Sequence, residues 1–147
     1  MLRAPHRAFY FVILIPYLIY ALVRFNRDAH YERWHRVLRR AGRLRRLGFD
    51  NDSIRYAAGV ASARLEEWEP ALSEFESIRS QLDEEEEEAL RYNYHAWTLH
   101  NLGRTGEART LLEHAVQPLW PTRCRRWAES FLESEEPENE HGEQLLH

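Results

Sequence analysis

Residues 8–23, AFYFVILIPYLIYALV, carry no charge, and Arg3 and Arg7 stand on one side of them with Arg24 and Arg27 on the other. No other stretch restricts the fold as strongly, because so continuous an apolar run must be covered by protein or by lipid. With Phe25 included it sits at the lower edge of the roughly 17–25 residues that a helix needs to cross a hydrocarbon layer of about 30 Å. Tyr10 and Tyr20 suit the two interfaces, and Pro16, which would break a soluble helix, is tolerated inside a bilayer. A cleavable signal peptide and a buried core helix are the alternatives. The first lacks a convincing small-x-small site ahead of Arg24 and Phe25. An interfacial helix would need a polar face, and residues 8–23 have none. The expectation is an uncleaved membrane anchor over residues 8–25.

Arginine sets its orientation. All 20 residues in the Lys+Arg count are Arg. Arg24, Arg27, Arg33, Arg36, Arg39, Arg40, Arg43, Arg45 and Arg46 crowd the C-terminal side of the apolar run, so the positive-inside rule places the body in the cytoplasm. A single-pass protein of a bacterial inner membrane is the expected setting. Residues 1–50 hold 11 Arg against three acids, +8, whereas residues 51–147 hold 9 Arg against 21 acids, −12. A basic end suits an anionic surface, and the acidic body disfavours nucleic acid as a partner.

From Asp28, a candidate N-cap, the apolar residues Tyr31, Trp34, Leu38, Ala41 and Leu44 recur every three or four positions, and Gly48 supplies a stop. The opposite face is nearly all Arg. Arg33, Arg36, Arg39, Arg40 and Arg43 are therefore candidates for contact with anionic lipid headgroups, at about 1 kcal/mol each. The alternative is a solvated face on a helix whose apolar stripe packs on the next one.

The rest of the 147 residues has too few breakers, 6 Gly and 6 Pro in all, for an all-β body, and the single Cys124 excludes an internal disulfide and a cysteine-rich zinc site. Self-similarity organises it instead. RYAAGVASARLEEWEPALSEFESIRSQLD (55–83) aligns with RYNYHAWTLHNLGRTGEARTLLEHAVQPLWP (91–121), with Ala71 and Ala108 standing 37 residues apart. That is one helical-hairpin repeat of about 34 residues plus an insertion, which the run Glu84–Glu88 can supply. Small residues at Gly59, Ala71, Ala96 and Ala108 let paired helices cross closely, and Phe75 and Leu112 fill the flanking space.

On these residues, with Leu102 and Gly103 at a helix-to-helix turn and Pro121 at the end of the second unit, the chain resembles the tetratricopeptide repeat family over residues 52–121. The first unit departs from the pattern: Glu66 and Glu67 replace the glycine turn, and Ser62 replaces the usual aromatic. The resemblance implies two tetratricopeptide-like hairpins. With the N-terminal transmembrane helix ahead of them and residues 122–134 as a capping helix, N-capped by Thr122 with Trp127, Phe131 and Leu132 as its apolar stripe and its Arg and Glu residues outward, the expected fold is all-α. The resemblance also implies a concave peptide groove lined by Asn93, Trp97, His100 and Asn101 from the second unit and by Tyr56, Val60 and Arg64 from the first. The alternative is that Trp97 is core and the amides are merely solvated.

The expected organisation is an anchor (1–26), an Arg-rich juxtamembrane helix (27–50), the helical domain (51–134) and an acidic disordered tail (135–147), with a short docking element at Leu145 and Leu146 as the alternative. No catalytic constellation and no phosphate loop is recognisable, so an enzyme is not expected. His30 and His35, like His95 and His100, are five apart rather than four, which is wrong for a helical metal pair, and no metal or cofactor is expected. Flanking Arg123 and Arg125 would lower the Cys124 pKa if the thiol were exposed; a quiet, partly buried thiol is the other reading. The function expected is that of a membrane-anchored adaptor for a protein partner, with a structural accessory subunit of a membrane complex as the alternative.

Overall fold

The computed structural model describes residues 5–30 and 32–134, with side chains from residue 15 onward. Seven helices and no strand are present among the described residues: α1 (Pro5–His30), α2 (Trp34–Arg46), α3 (Asp52–Arg64), α4 (Trp68–Glu76), α5 (Glu85–Asn101), α6 (Thr105–Ala115) and α7 (Thr122–Ser134). The all-α expectation holds. Among the described residues no helix is long and apolar enough to cross a membrane; the expected anchor over residues 8–25 begins in residues 8–14, whose side chains lie outside the description. Tyr31 and the acidic tail, residues 135–147, lie outside it too.

Asp28 does not start a helix. It lies inside α1, fully buried, because Arg40 of α2 reaches back to its carboxylate at 2.6 Å and Arg33 approaches at 3.7 Å. A buried carboxylate demands such compensation, and the pairing ties the end of α1 to α2. Phe25 is buried with Val37, Ala41, Leu44 and Ile54, so the last turns of α1 belong to the body's core.

Consecutive helices pack on one another, and α3, α5 and α7 also touch in an inner row. The turns explain why. After α3 and after α5 the chain makes the same reversal 37 residues apart: Glu67 N–H donates to the Ser62 carbonyl and Arg104 N–H to the Leu99 carbonyl, each at 2.9 Å. These six-to-one bonds need a left-handed residue just before the donor. In the second unit that residue is Gly103, φ 77°, and in the first it is Glu66, φ 60°. The first turn thus keeps the backbone of the second without its glycine. The same bond closes α2, from Phe49 N–H to the Leu44 carbonyl, with Gly48 at φ 89°.

Small residues stand at the crossings as expected. Ala71, Ala96 and Ala108 are fully buried, and a Cβ built on Gly59 would lie 2.8 Å from Cε1 of Phe75. Polar contacts then lock the units together. Arg45 of α2 grips Glu74 of α4 with two bonds of 2.6 and 2.7 Å, and Asp52 at the start of α3 accepts the backbone N–H of Ser80 at 2.9 Å. The Ser80 hydroxyl and neighbouring backbone N–H groups hold the Asp52 carboxyl below its usual range.

Candidate functional site

The inner row α3–α5–α7 encloses a groove of about 830 Å³, its walls including Arg64 from α3, Asn93, Tyr94 and Trp97 from α5, and Arg123, Arg126 and Trp127 from α7. Three arginines and three aromatics face it, and no Asp or Glu is among its lining residues within the described part of the chain. Glu86, the carboxylate that acts on Cys124 at a distance, stands on the first turn of α5 outside the lining.

Asn93 sits at the floor, only 6% exposed. Its Nδ2 donates to the Cys124 carbonyl at 3.0 Å, joining α5 to α7, while its Oδ1 is buried with no hydrogen-bond partner. A buried amide oxygen left unmatched costs roughly 1–3 kcal/mol, so it is a place where an arriving N–H would gain a bond. Trp97 is half-buried. Its ring meets Trp68 edge-on, centroids 5.0 Å apart, and is also close to Tyr94, so it is both groove wall and core neighbour. Arg64 lies over the rings of Trp34 and Tyr94, 5.9 and 5.6 Å from their centroids, which stretches its guanidinium across the α2–α3–α5 surface.

The other residues expected in the groove fall elsewhere. Val60 is buried in the cluster of Ala63, Ala71 and Phe75, and Tyr56 packs beside it, where burial raises its phenol pKa. His100 bonds Thr105 Oγ1 through Nδ1 at 3.0 Å and meets Phe131 of α7 edge-on, so it joins α5 to α6 and α7 away from the groove. Asn101 is exposed and donates to the carbonyl of Trp97, one turn back, at 2.8 Å. The i, i+4, i+7, i+8 spacing of 93, 97, 100 and 101 does put all four on one side of α5, but His100 and Asn101 stand in its last turn, where His100 meets Thr105 and Phe131 instead of the groove.

Helix α7 supplies a groove wall that the repeat resemblance does not imply. The Arg residues of α7 were expected to face outward and Trp127 to face the core, yet Trp127 is 38% exposed and stacks on Phe131 at the groove edge. The available signal was Arg123, Trp127 and Ser130 at three- and four-residue spacing on a helix that follows two hairpins, and so occupies the row of first helices. Cys124 is buried, and that burial pushes its thiol pKa up despite Arg123. Glu88, at the acidic start of α5, is turned inward, accepting the Leu82 N–H at 3.1 Å and Arg91 at 2.6 Å.

Of the arginines expected at a membrane surface, Arg40 and Arg33 serve Asp28, while Arg36, Arg39 and Arg43 are exposed along α2. The large apolar side chains Ile15, Ile19, Tyr20, Leu22 and Val23 are also exposed, all on the part of α1 that precedes Phe25. Among the described residues no three His, Cys, Asp or Glu side chains gather where they could hold a metal ion. No family model matches the chain, and no curated protein or solved structure matches it either.

Proposed function

We propose that the chain is a membrane-anchored adaptor of tetratricopeptide-like build, which binds an extended segment of another protein in the α3–α5–α7 groove. The observation that carries this reading is the unpartnered Oδ1 of Asn93 on the floor of a groove flanked by Trp97 and Trp127. An extended peptide brings backbone N–H groups for such an oxygen and side chains for the indole faces, and buried Trp and Arg anchors carry much of the energy of such contacts. The reading needs no chemistry at the site, and the protein is proposed to be a binder and not an enzyme.

The membrane part of the proposal rests on the charge-free run and on the exposed apolar side chains of α1, which water would not favour. With the body on the cytoplasmic side, Arg36, Arg39 and Arg43, exposed along α2, are available to anionic headgroups, at about 1 kcal/mol each. The same apolar stretch of α1 favours a second reading, an accessory subunit whose α1 packs against helices of a membrane complex.

The test is partner capture from solubilised membranes by the full chain. Asn93→Ala combined with Trp97→Ala should abolish capture, and Arg123→Gln with Arg126→Gln, both exposed, should weaken it at unchanged helicity. Capture that survives both pairs, with normal circular dichroism, moves binding away from the groove. Release of the accessory reading or its support comes from mild-detergent purification, where a subunit stays in stoichiometric assembly and an adaptor sheds its clients.

A further inference from the structure

Resting on the groove reading above, we infer that the chain's own acidic tail, residues 135–147, occupies the α3–α5–α7 groove in the absence of a partner, so that a client must displace it. Three observations meet here. Among the described residues the groove presents Arg64, Arg123 and Arg126 with no acid in its lining, although residues 51–147 as a whole are strongly acidic. The tail, EEPENEHGEQLLH, holds Glu135, Glu136, Glu138, Glu140 and Glu143 with no Arg, and carries Leu145 and Leu146, which suit indole surfaces. It is also tethered to the right wall, because it follows Ser134 directly, one turn beyond Ser130, which lines the groove.

Reach is sufficient. The 13 residues of α7 span about 20 Å at the helical rise. Thirteen extended residues span about 43 Å, more than twice that length, so the tail is long enough to run back along α7 to Arg123. Its carboxylates then meet the arginines, its two leucines meet Trp127 and Trp97, and any backbone N–H passing the floor can donate to Asn93 Oδ1. A tether this short holds its segment at an effective concentration on the order of 1 mM. Even a site with a Kd on the order of 0.1 mM is then about nine-tenths filled, and an added competitor sees its affinity reduced about tenfold.

The experiment uses the full chain in detergent and a fluorescein-labelled synthetic peptide of the sequence 135–147 as probe, read by anisotropy. Neutralising the tail with Glu135→Gln, Glu136→Gln, Glu138→Gln, Glu140→Gln and Glu143→Gln changes no residue of the seven described helices, and circular dichroism checks that their helicity is kept. The tail-neutralised chain should bind the probe about tenfold more tightly than the wild type, added salt should weaken that binding, and Arg123→Gln with Arg126→Gln in the same background should remove most of it. Equal affinities for wild type and tail-neutralised chains overturn the inference, as does no binding by either, or binding indifferent to the two arginines. A rise in molecular mass with concentration that disappears on tail neutralisation assigns the tail to a second copy and overturns occupancy in cis. If the probe fails while Asn93→Ala with Trp97→Ala still abolishes partner capture, the tail proposal falls and the groove stands; if capture is also unaffected, both fall.

Discussion

Gly59→Ala is a substitution whose local and tertiary effects oppose each other, and the structure decides between them. In an isolated helix the change should stabilise by roughly 0.8–1.0 kcal/mol, because alanine has less backbone entropy to lose. In α3, however, the new Cβ would stand 2.8, 2.9 and 3.0 Å from Cε1, Cζ and Cδ1 of Phe75. Ordinary contacts of this kind are about 3.5–4.0 Å. The ring must therefore retreat by well over half an ångström, and it has no open side: Phe75 is 2% exposed and stacks on His95 with centroids 5.7 Å apart. Overpacking a tight core typically costs about 1–3 kcal/mol. Set against the propensity gain, a net loss of about 1 kcal/mol or more is expected, read as a lower urea midpoint of the full chain at unchanged slope. Phe75→Leu should recover part of the loss in the Gly59→Ala background, giving a coupling that the two single variants do not sum to. A stabilised Gly59→Ala protein would refute the close approach of α3 and α4, and with it the reason for a small residue at this crossing.

Two further outcomes follow from the turns and the buried histidine. Glu66→Gly should stabilise the fold by about 1 kcal/mol, because a left-handed non-glycine residue costs roughly 1–2 kcal/mol and glycine returns part of that as unfolded-state entropy; a lower melting temperature would mean that the Glu66 side chain contributes more than its backbone costs. His95 has its pKa lowered to about 4, chiefly by burial and further by Arg91 and Arg104, with Glu107 opposing. The unfolded chain therefore binds the proton more readily than the folded one between the ordinary value of 6.5 and about 4, so this residue's contribution to stability is level above pH 6.5 and declines as the pH falls through that window. The full decline amounts to roughly 3 kcal/mol, and His95→Phe should flatten the stability profile between pH 4 and 6.5; an unaltered profile would place the acid sensitivity on other groups.

What was legible in the sequence was what depends on neighbours along one helix or on a single residue's size. The crossings at Gly59, Ala71, Ala96 and Ala108 announce themselves because few other residues permit two backbones to approach, and Gly48 and Gly103 mark helix ends because left-handed backbone favours glycine. Glu66 defeats that signal by adopting the same backbone without the glycine. Asp28 reads as a cap until Arg40, 12 residues onward and on another helix, is placed against it. The groove was half legible: Asn93, Trp97 and Arg64 were found from their register on the first helices, whereas Arg123, Arg126 and Trp127 depend on α7 joining the inner row, which is a matter of packing and not of pattern.

The central claim, that the α3–α5–α7 groove holds a segment of a protein partner, is tested most directly by placing a photo-crosslinking residue at Arg126 on the groove wall and, separately, at Glu113 on the exposed face of α6, in the full chain in native membranes. The account predicts one dominant adduct from position 126, mapped by mass spectrometry to a contiguous stretch of another protein, lost when Asn93→Ala and Trp97→Ala are added, and no such adduct from position 113. An adduct from position 113 alone, or one from position 126 that persists without Asn93 and Trp97, would contradict it.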